Sequence, residues 1–88
     1  PWAFKQALNT PAAAAGYAND WDAMERADLG ILLLPCGRSA HLEAGYFVGH
    51  PNKSLFIVCP ALDEPELMYL MADGIYLSMD ELLEGGVQ

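Results

Sequence analysis

The sequence predicts an open α/β sheet of parallel strands with helices on both faces, forming one domain over residues 1–88. Apolar runs of strand length alternate with segments of helical period, which is the first observation behind that reading. The second is that "LGILLLP" and "SLFIVCP" carry no polar residue inside the apolar run, as suits strands buried on both faces of a parallel sheet. The third is length: 88 residues make one core and no more.

Taken in order, "PWAFKQAL" reads as a short helix ended near Asn9 by Pro11. "PAAAAGYAND" is Ala-rich but interrupted by Gly16, so it is either a frayed helix or a loop resting on the body. "DWDAMERA" follows as a short helix with Asp20 as N-cap and Arg26 near its C-terminus. Leu29 to Leu34 is the first strand. "SAHLEAGYFVGH" is the next helix, capped by Ser39 and ending around Gly49 to Pro51. Ser54 to Cys59 is the second strand, and "DEPELMYLMA" a helix with Pro65 in its first turn. "GIYLS" is a third strand, and "SMDELLEGG" a last helix with Ser78 capping and Glu81 placed for a capping box. Helical crossovers between strands imply parallel pairing, hence a Rossmann-like or flavodoxin-like sheet.

Composition narrows the function classes. A net charge of -8 with only Lys5, Arg26, Arg38 and Lys53 as permanent cations offers no basic stripe for a phosphate backbone, so nucleic acid is not an expected partner. No apolar run is long enough to span a bilayer and no leader-like segment stands out, so a soluble, cytoplasmic protein without a membrane partner is expected. Cys36 and Cys59 lack the paired spacing of a zinc site and are too few for a disulfide framework, which points to reduced thiols. No metal or cofactor is expected.

Open parallel sheets place ligands outside the carboxyl ends of their strands. Asp20, Cys36, Arg38, Ser39, His41 and Glu43 are expected at that edge, while Asp28, His50, Lys53 and Asp73 fall at the opposite one. Glu43 stands near the start of its helix, where the dipole favours an ionised carboxylate able to act as a nucleophile at a sugar carbon; the plain alternative is a surface Glu. Its neighbours Ala40, Ala44, Gly45, Val48 and Gly49 are small or apolar, which favours a role. Asp20 is first an N-cap and second a general acid or sugar-binding group. Arg38 and Ser39 are either an anion site or a solvated loop. His41 reads first as a helix-surface residue and second as a site group; Cys36 stands beside a helix N-terminus that could favour its thiolate, but with no His and carboxylate arrangement evident it reads as a buried or inert thiol. Trp2, Phe4 and Tyr17 serve either as core or lid packing or in stacking on a planar base.

The stretch "NDWDAMERADLGILLLPCGRSAHLEAGYFVG", followed by "KSLFIVCP", resembles the nucleoside 2-deoxyribosyltransferase-like family. The likeness runs from about Asn19 to Pro60 and more loosely to the end: an acidic residue before a short helix, "AD" into a buried strand, a Gly and Ser loop, then Glu-x-Gly-aromatic. It implies that Glu43 is the nucleophile that attacks the anomeric carbon of a 2-deoxyribosyl group, that Asp20 assists the leaving base, and that Tyr46 fills the packing position after Glu-x-Gly. Another base or water would then capture the covalent intermediate. Family transferases carry an acidic residue shortly before the nucleophile, where this chain has Gly37 and Arg38. Together with Ser39 these residues suit a 5′-phosphate, as in the branch that hydrolyses deoxynucleoside monophosphates.

The family also begins with a strand that this chain lacks, so an N-terminal segment or a partner chain is expected to cover the edge of "LGILLLP". The resemblance implies a homo-oligomer joined through the nucleophile helix, with Gly45, Phe47 and Gly49 facing another subunit. A noncatalytic nucleotide-binding or oligomerisation domain that keeps the fold is the competing expectation.

Overall fold

A computed structural model describes residues 2–61 and 66–85, with side chains from residue 5 onward within those ranges. Helices α1 (Trp2–Leu8) and α2 (Pro11–Arg26) lead into strand β1 (Leu29–Leu33). Helix α3 (Arg38–Gly49), strand β2 (Ser54–Val58), a 3₁₀ helix (Leu67–Met71), strand β3 (Gly74–Tyr76) and helix α4 (Met79–Gly85) follow. Pro65 and the side chains of Trp2 and Phe4 lie outside the described residues.

The three strands form one parallel sheet in the order β1-β2-β3, with Leu29 opposite Ser54 and Phe56 opposite Gly74. This is the α/β architecture with a parallel open sheet that the alternating periods predict. Side-chain alternation puts Leu32, Leu55 and Ile57 on one face, where they join Ala44 and Phe47 of α3 in the core. The opposite face carries Phe56, Val58 and Tyr76, and α4 packs against β2 and β3. Val58 and Leu82 of α4 are both fully buried. The Ser78 Oγ accepts from the Glu81 N–H at 3.1 Å, and the Glu81 carboxylate accepts from the Leu77 N–H at 3.4 Å, one residue earlier than a strict capping box.

Several expectations are corrected. The segment split at Gly16 is one continuous helix of 16 residues. Thr10 caps it by accepting from the Ala13 N–H at 3.0 Å, Pro11 starts it, and the four alanines outweigh a glycine that costs about 1 kcal/mol. Asp20 therefore sits inside a helix and caps nothing. Ser39 is not the cap of α3 either: Gly37 holds that position with no side-chain hydrogen bond, and the helix starts at Arg38.

β1 is not buried on both faces, since Ile31 and Leu33 are 42% and 51% exposed. An apolar run records that a strand is buried somewhere; it does not record how far neighbouring helices reach, and α4 stops over β2 and β3. Phe47 packs inside its own subunit, 7% exposed, and offers no face to another chain, whereas Gly45 and Gly49 are exposed.

The radius of gyration is 15.0 Å, against about 12 Å for a compact domain of this length. Helix α2 contributes no buried residue to the core. No described helix is long and apolar enough to cross a membrane.

Candidate functional site

Two helical stripes of matching spacing line a wide concavity. On α2 the stripe is Tyr17, Asp20, Trp21 and Met24; on α3 it is Ser39, Leu42, Glu43 and Tyr46. Each set repeats at i, i+3, i+4 and i+7, one face of a helix. Together with Leu8 of α1 they line a groove of about 440 Å³. Trp21 meets Tyr46 edge to face with centroids 5.0 Å apart, and Tyr17 stacks on Trp21 at 6.2 Å.

Lys53 fastens this wall to the sheet. Its Nζ donates to the carbonyl oxygens of Glu25, at 2.9 Å, and of Ala27, at the C-terminal end of α2. The same ammonium stands 5.9 Å from the Tyr46 ring centroid and 5.8 Å from that of Phe47. Lys53 and Asp73, assigned to the edge away from the ligand, are structural groups there: the Asp73 carboxylate accepts from the Leu55 N–H at 2.8 Å.

The groove brings together Asp20, Ser39, Glu43 and Tyr46, four of the residues singled out from the sequence. Asp20 arrives by a route other than the expected helix start. Gly37 and Arg38 do not line the groove, although Arg38 is exposed on the same first turn as Ser39. Glu43 is half-buried and also lines a smaller cavity of about 80 Å³ that reaches Gly30, Ile31 and Leu32 of β1. Because α3 begins at Arg38, Glu43 falls in the second turn, where the backbone N–H groups are already bonded. The expected help from the helix dipole is therefore small, since that effect fades within the first turn.

Chemically, the described residues of the groove give it aromatic walls, two carboxylates and no cationic side chain. Such a site suits a planar, uncharged ring carried by a group that becomes positive as it reacts. No protein-family model matches the chain. Neither a curated protein nor a solved structure matches it.

Sequence reasoning missed Trp21, Met24 and Leu42. For Trp21 and Met24 the signal was the i, i+3, i+4, i+7 stripe of α2, which the break placed at Gly16 to Asp20 concealed; Leu42 lies on the matching stripe of α3. It also missed a second cluster on the other side of α3. His41 Nδ1 lies 2.9 Å from the Gly37 carbonyl oxygen and 3.6 Å from the Cys36 sulfur, while Nε2 lies 2.9 Å from the Tyr69 hydroxyl. Partial burial pushes the Tyr69 phenol above its ordinary value, and Glu66, Cys36 and Cys59 push the same way. Cys36 and His41 are thus neighbours, with no carboxylate of the described residues among the hydrogen-bond partners of His41. Among the described residues no group of three or more His, Cys, Asp and Glu is placed to hold a metal ion.

Proposed function

We propose that this chain cleaves the N-glycosidic bond of 2-deoxynucleosides or their 5′-monophosphates. The observation that carries the reading is the meeting of Asp20 and Glu43 in one aromatic groove. The sequence resemblance to nucleoside 2-deoxyribosyltransferases supports it, and the open parallel sheet is compatible with a Rossmann-like domain. In this reading the Glu43 carboxylate attacks the anomeric carbon as the bond to the base breaks. Asp20 supplies a proton to the departing base. The positive charge that develops on the sugar lies between two carboxylates, and Tyr17, Trp21 and Tyr46 offer faces and edges to the base. Water or a second base then releases the deoxyribosyl group from Glu43. Gly37, Arg38 and Ser39 are the 5′-group subsite, and the protein acts in the cytoplasm as a homo-oligomer without a cofactor.

The test is release of free base from deoxynucleosides and from their monophosphates. Glu43→Gln is expected to lower turnover about a thousandfold or more, as for loss of a covalent nucleophile. Full turnover by that variant overturns the assignment. Arg38→Ala is expected to weaken monophosphate binding far more than nucleoside binding; equal losses remove the phosphate subsite.

One feature favours a second reading, a noncatalytic nucleotide-binding or oligomerisation domain. The outer edge of β1 is unpaired among the described residues, and Ile31 and Leu33 are exposed beside it. In that case a nucleotide binds the wild type and Glu43→Gln equally, and no base is released by either.

A further inference from the structure

β3 is the other outer strand of the sheet, and none of its residues lines the groove. The Tyr76 carbonyl oxygen accepts from the Cys59 N–H at 2.8 Å, so Tyr76 turns its main chain toward β2. Successive residues of a strand point these groups to opposite sides. The N–H and C=O of Ile75 therefore face outward, and among the described residues no strand pairs with them.

The 3₁₀ helix sets apolar side chains beside those open groups. With three residues per turn, residues i and i+3 stand over one another. Tyr69 and Ala72 pack against the core, which leaves Leu67 and Leu70 in an outer row, 77% and 76% exposed. These two leucines and Ile75, with Tyr69 and Glu66, line a cavity of about 220 Å³. That is below the roughly 300 Å³ at which pockets begin to take drug-sized ligands, and it suits one or two aliphatic side chains. Ile75 pairs with Ile57, whose side chain joins the core on the α3 face of the sheet. A strand added beside Ile75 would set its own side chain on that same face, at the cavity.

Charge decides the occupant. From Glu66 to Gly85 the chain carries five acidic residues and no Lys, Arg or His. Glu66 lines the cavity, and Asp80 and Glu81 open α4 just after β3. A second copy pairing edge to edge would bring these carboxylates against their own kind, in a chain of net charge -8. We propose that the β3 edge binds an extended segment of another protein in which an apolar residue is flanked by basic ones. The main chain of that segment bonds to the Ile75 N–H and C=O as an added strand. Its apolar side chain enters the cavity between Leu67, Leu70 and Ile75, and the carboxylates around the edge attract its cations.

The probe is a fluorescein-labelled heptapeptide of alternating lysine and leucine, titrated with the protein and read by fluorescence anisotropy. Saturable binding is expected, and it weakens as salt is raised. Leu67→Ser and Leu70→Ser, at exposed positions, are each expected to weaken it about tenfold through lost apolar burial. Leu33→Ser, at the edge of β1, leaves it unchanged, and circular dichroism checks that each variant is folded. The same peptide with glutamate in place of lysine is expected not to bind. An added strand turns only alternate N–H groups toward β3, so of two peptides N-methylated on every lysine or on every leucine, one loses binding and the other keeps it. Equal effects of the two methylations overturn the proposal, as do a glutamate peptide that binds as well and a loss seen in Leu33→Ser but not in Leu67→Ser or Leu70→Ser. Self-association of the protein that Leu67→Ser abolishes would overturn it too, by making a second copy the occupant.

Discussion

A Cβ placed on Gly30 would lie 2.9 Å from Cδ2 of Phe47 and 3.0 Å from Cγ. The Phe47 ring is buried between α3 and the sheet, so it has little room to retreat. Gly30 thereby sets the distance at which α3 rides on β1, and with it the position of Glu43 one turn before Phe47. Gly30→Ala is expected to destabilise the fold by about 1–3 kcal/mol through overpacking. Urea unfolding measures it, and Phe47→Leu in the same chain should recover part of the loss. A Gly30→Ala protein as stable as wild type would mean that α3 shifts freely.

The contact between Trp21 and Tyr46 is the clearest link across the groove. Because Trp21 is 38% exposed, its coupling with Tyr46 should fall at the lower end of the aromatic range, about 0.5 kcal/mol. A double-mutant cycle with Trp21→Leu and Tyr46→Leu measures that value. Strict additivity would show that α2 does not rest on α3 in solution.

Lys53→Met removes the ammonium that holds the last carbonyls of α2 while keeping much of the side chain's apolar stem. The expected loss is about 1 kcal/mol, the scale of a cation at a helix C-terminus. Because α2 has no buried residue to hold it elsewhere, amide exchange should rise along α2 more than along β2. Exchange that rises evenly across the chain would remove Lys53 as the fastening.

Tyr69 links stability to alkaline pH. Its phenol titrates above the ordinary value of about 10 in the folded protein and near that value when unfolded, so the folded state holds the proton more tightly. That contribution is fully present below pH 10 and is lost as pH rises through the folded value. Urea midpoints measured from pH 8 to pH 11 should therefore fall more steeply for wild type than for Tyr69→Phe. Parallel curves would show that the phenol is as easily ionised in the folded chain as in the unfolded one.

Much of the fold was legible along the chain because its signals are local. The runs at Leu29, Ser54 and Gly74 became strands, and Ser78 with Glu81 opened the last helix as their spacing requires. Parallel pairing followed from the helical crossover between β1 and β2, and Lys53 and Asp73 fell at the amino ends of β2 and β3. Gly16 misled because a helix is decided by the sum over a segment, here Thr10, Pro11 and four alanines against one glycine.

Other features depended on contacts between residues distant in sequence. Ile31 and Leu33 are as apolar as Leu32, and only the reach of α4 leaves them uncovered. His41 and Tyr69 are 28 positions apart, so no spacing rule pairs them. The two stripes that hold Asp20 and Glu43 were each written in the sequence as a helical period. Their meeting in one groove depends on Lys53, Trp21 and Tyr46, because a local pattern specifies which face of a helix is sticky and only packing selects the face it meets.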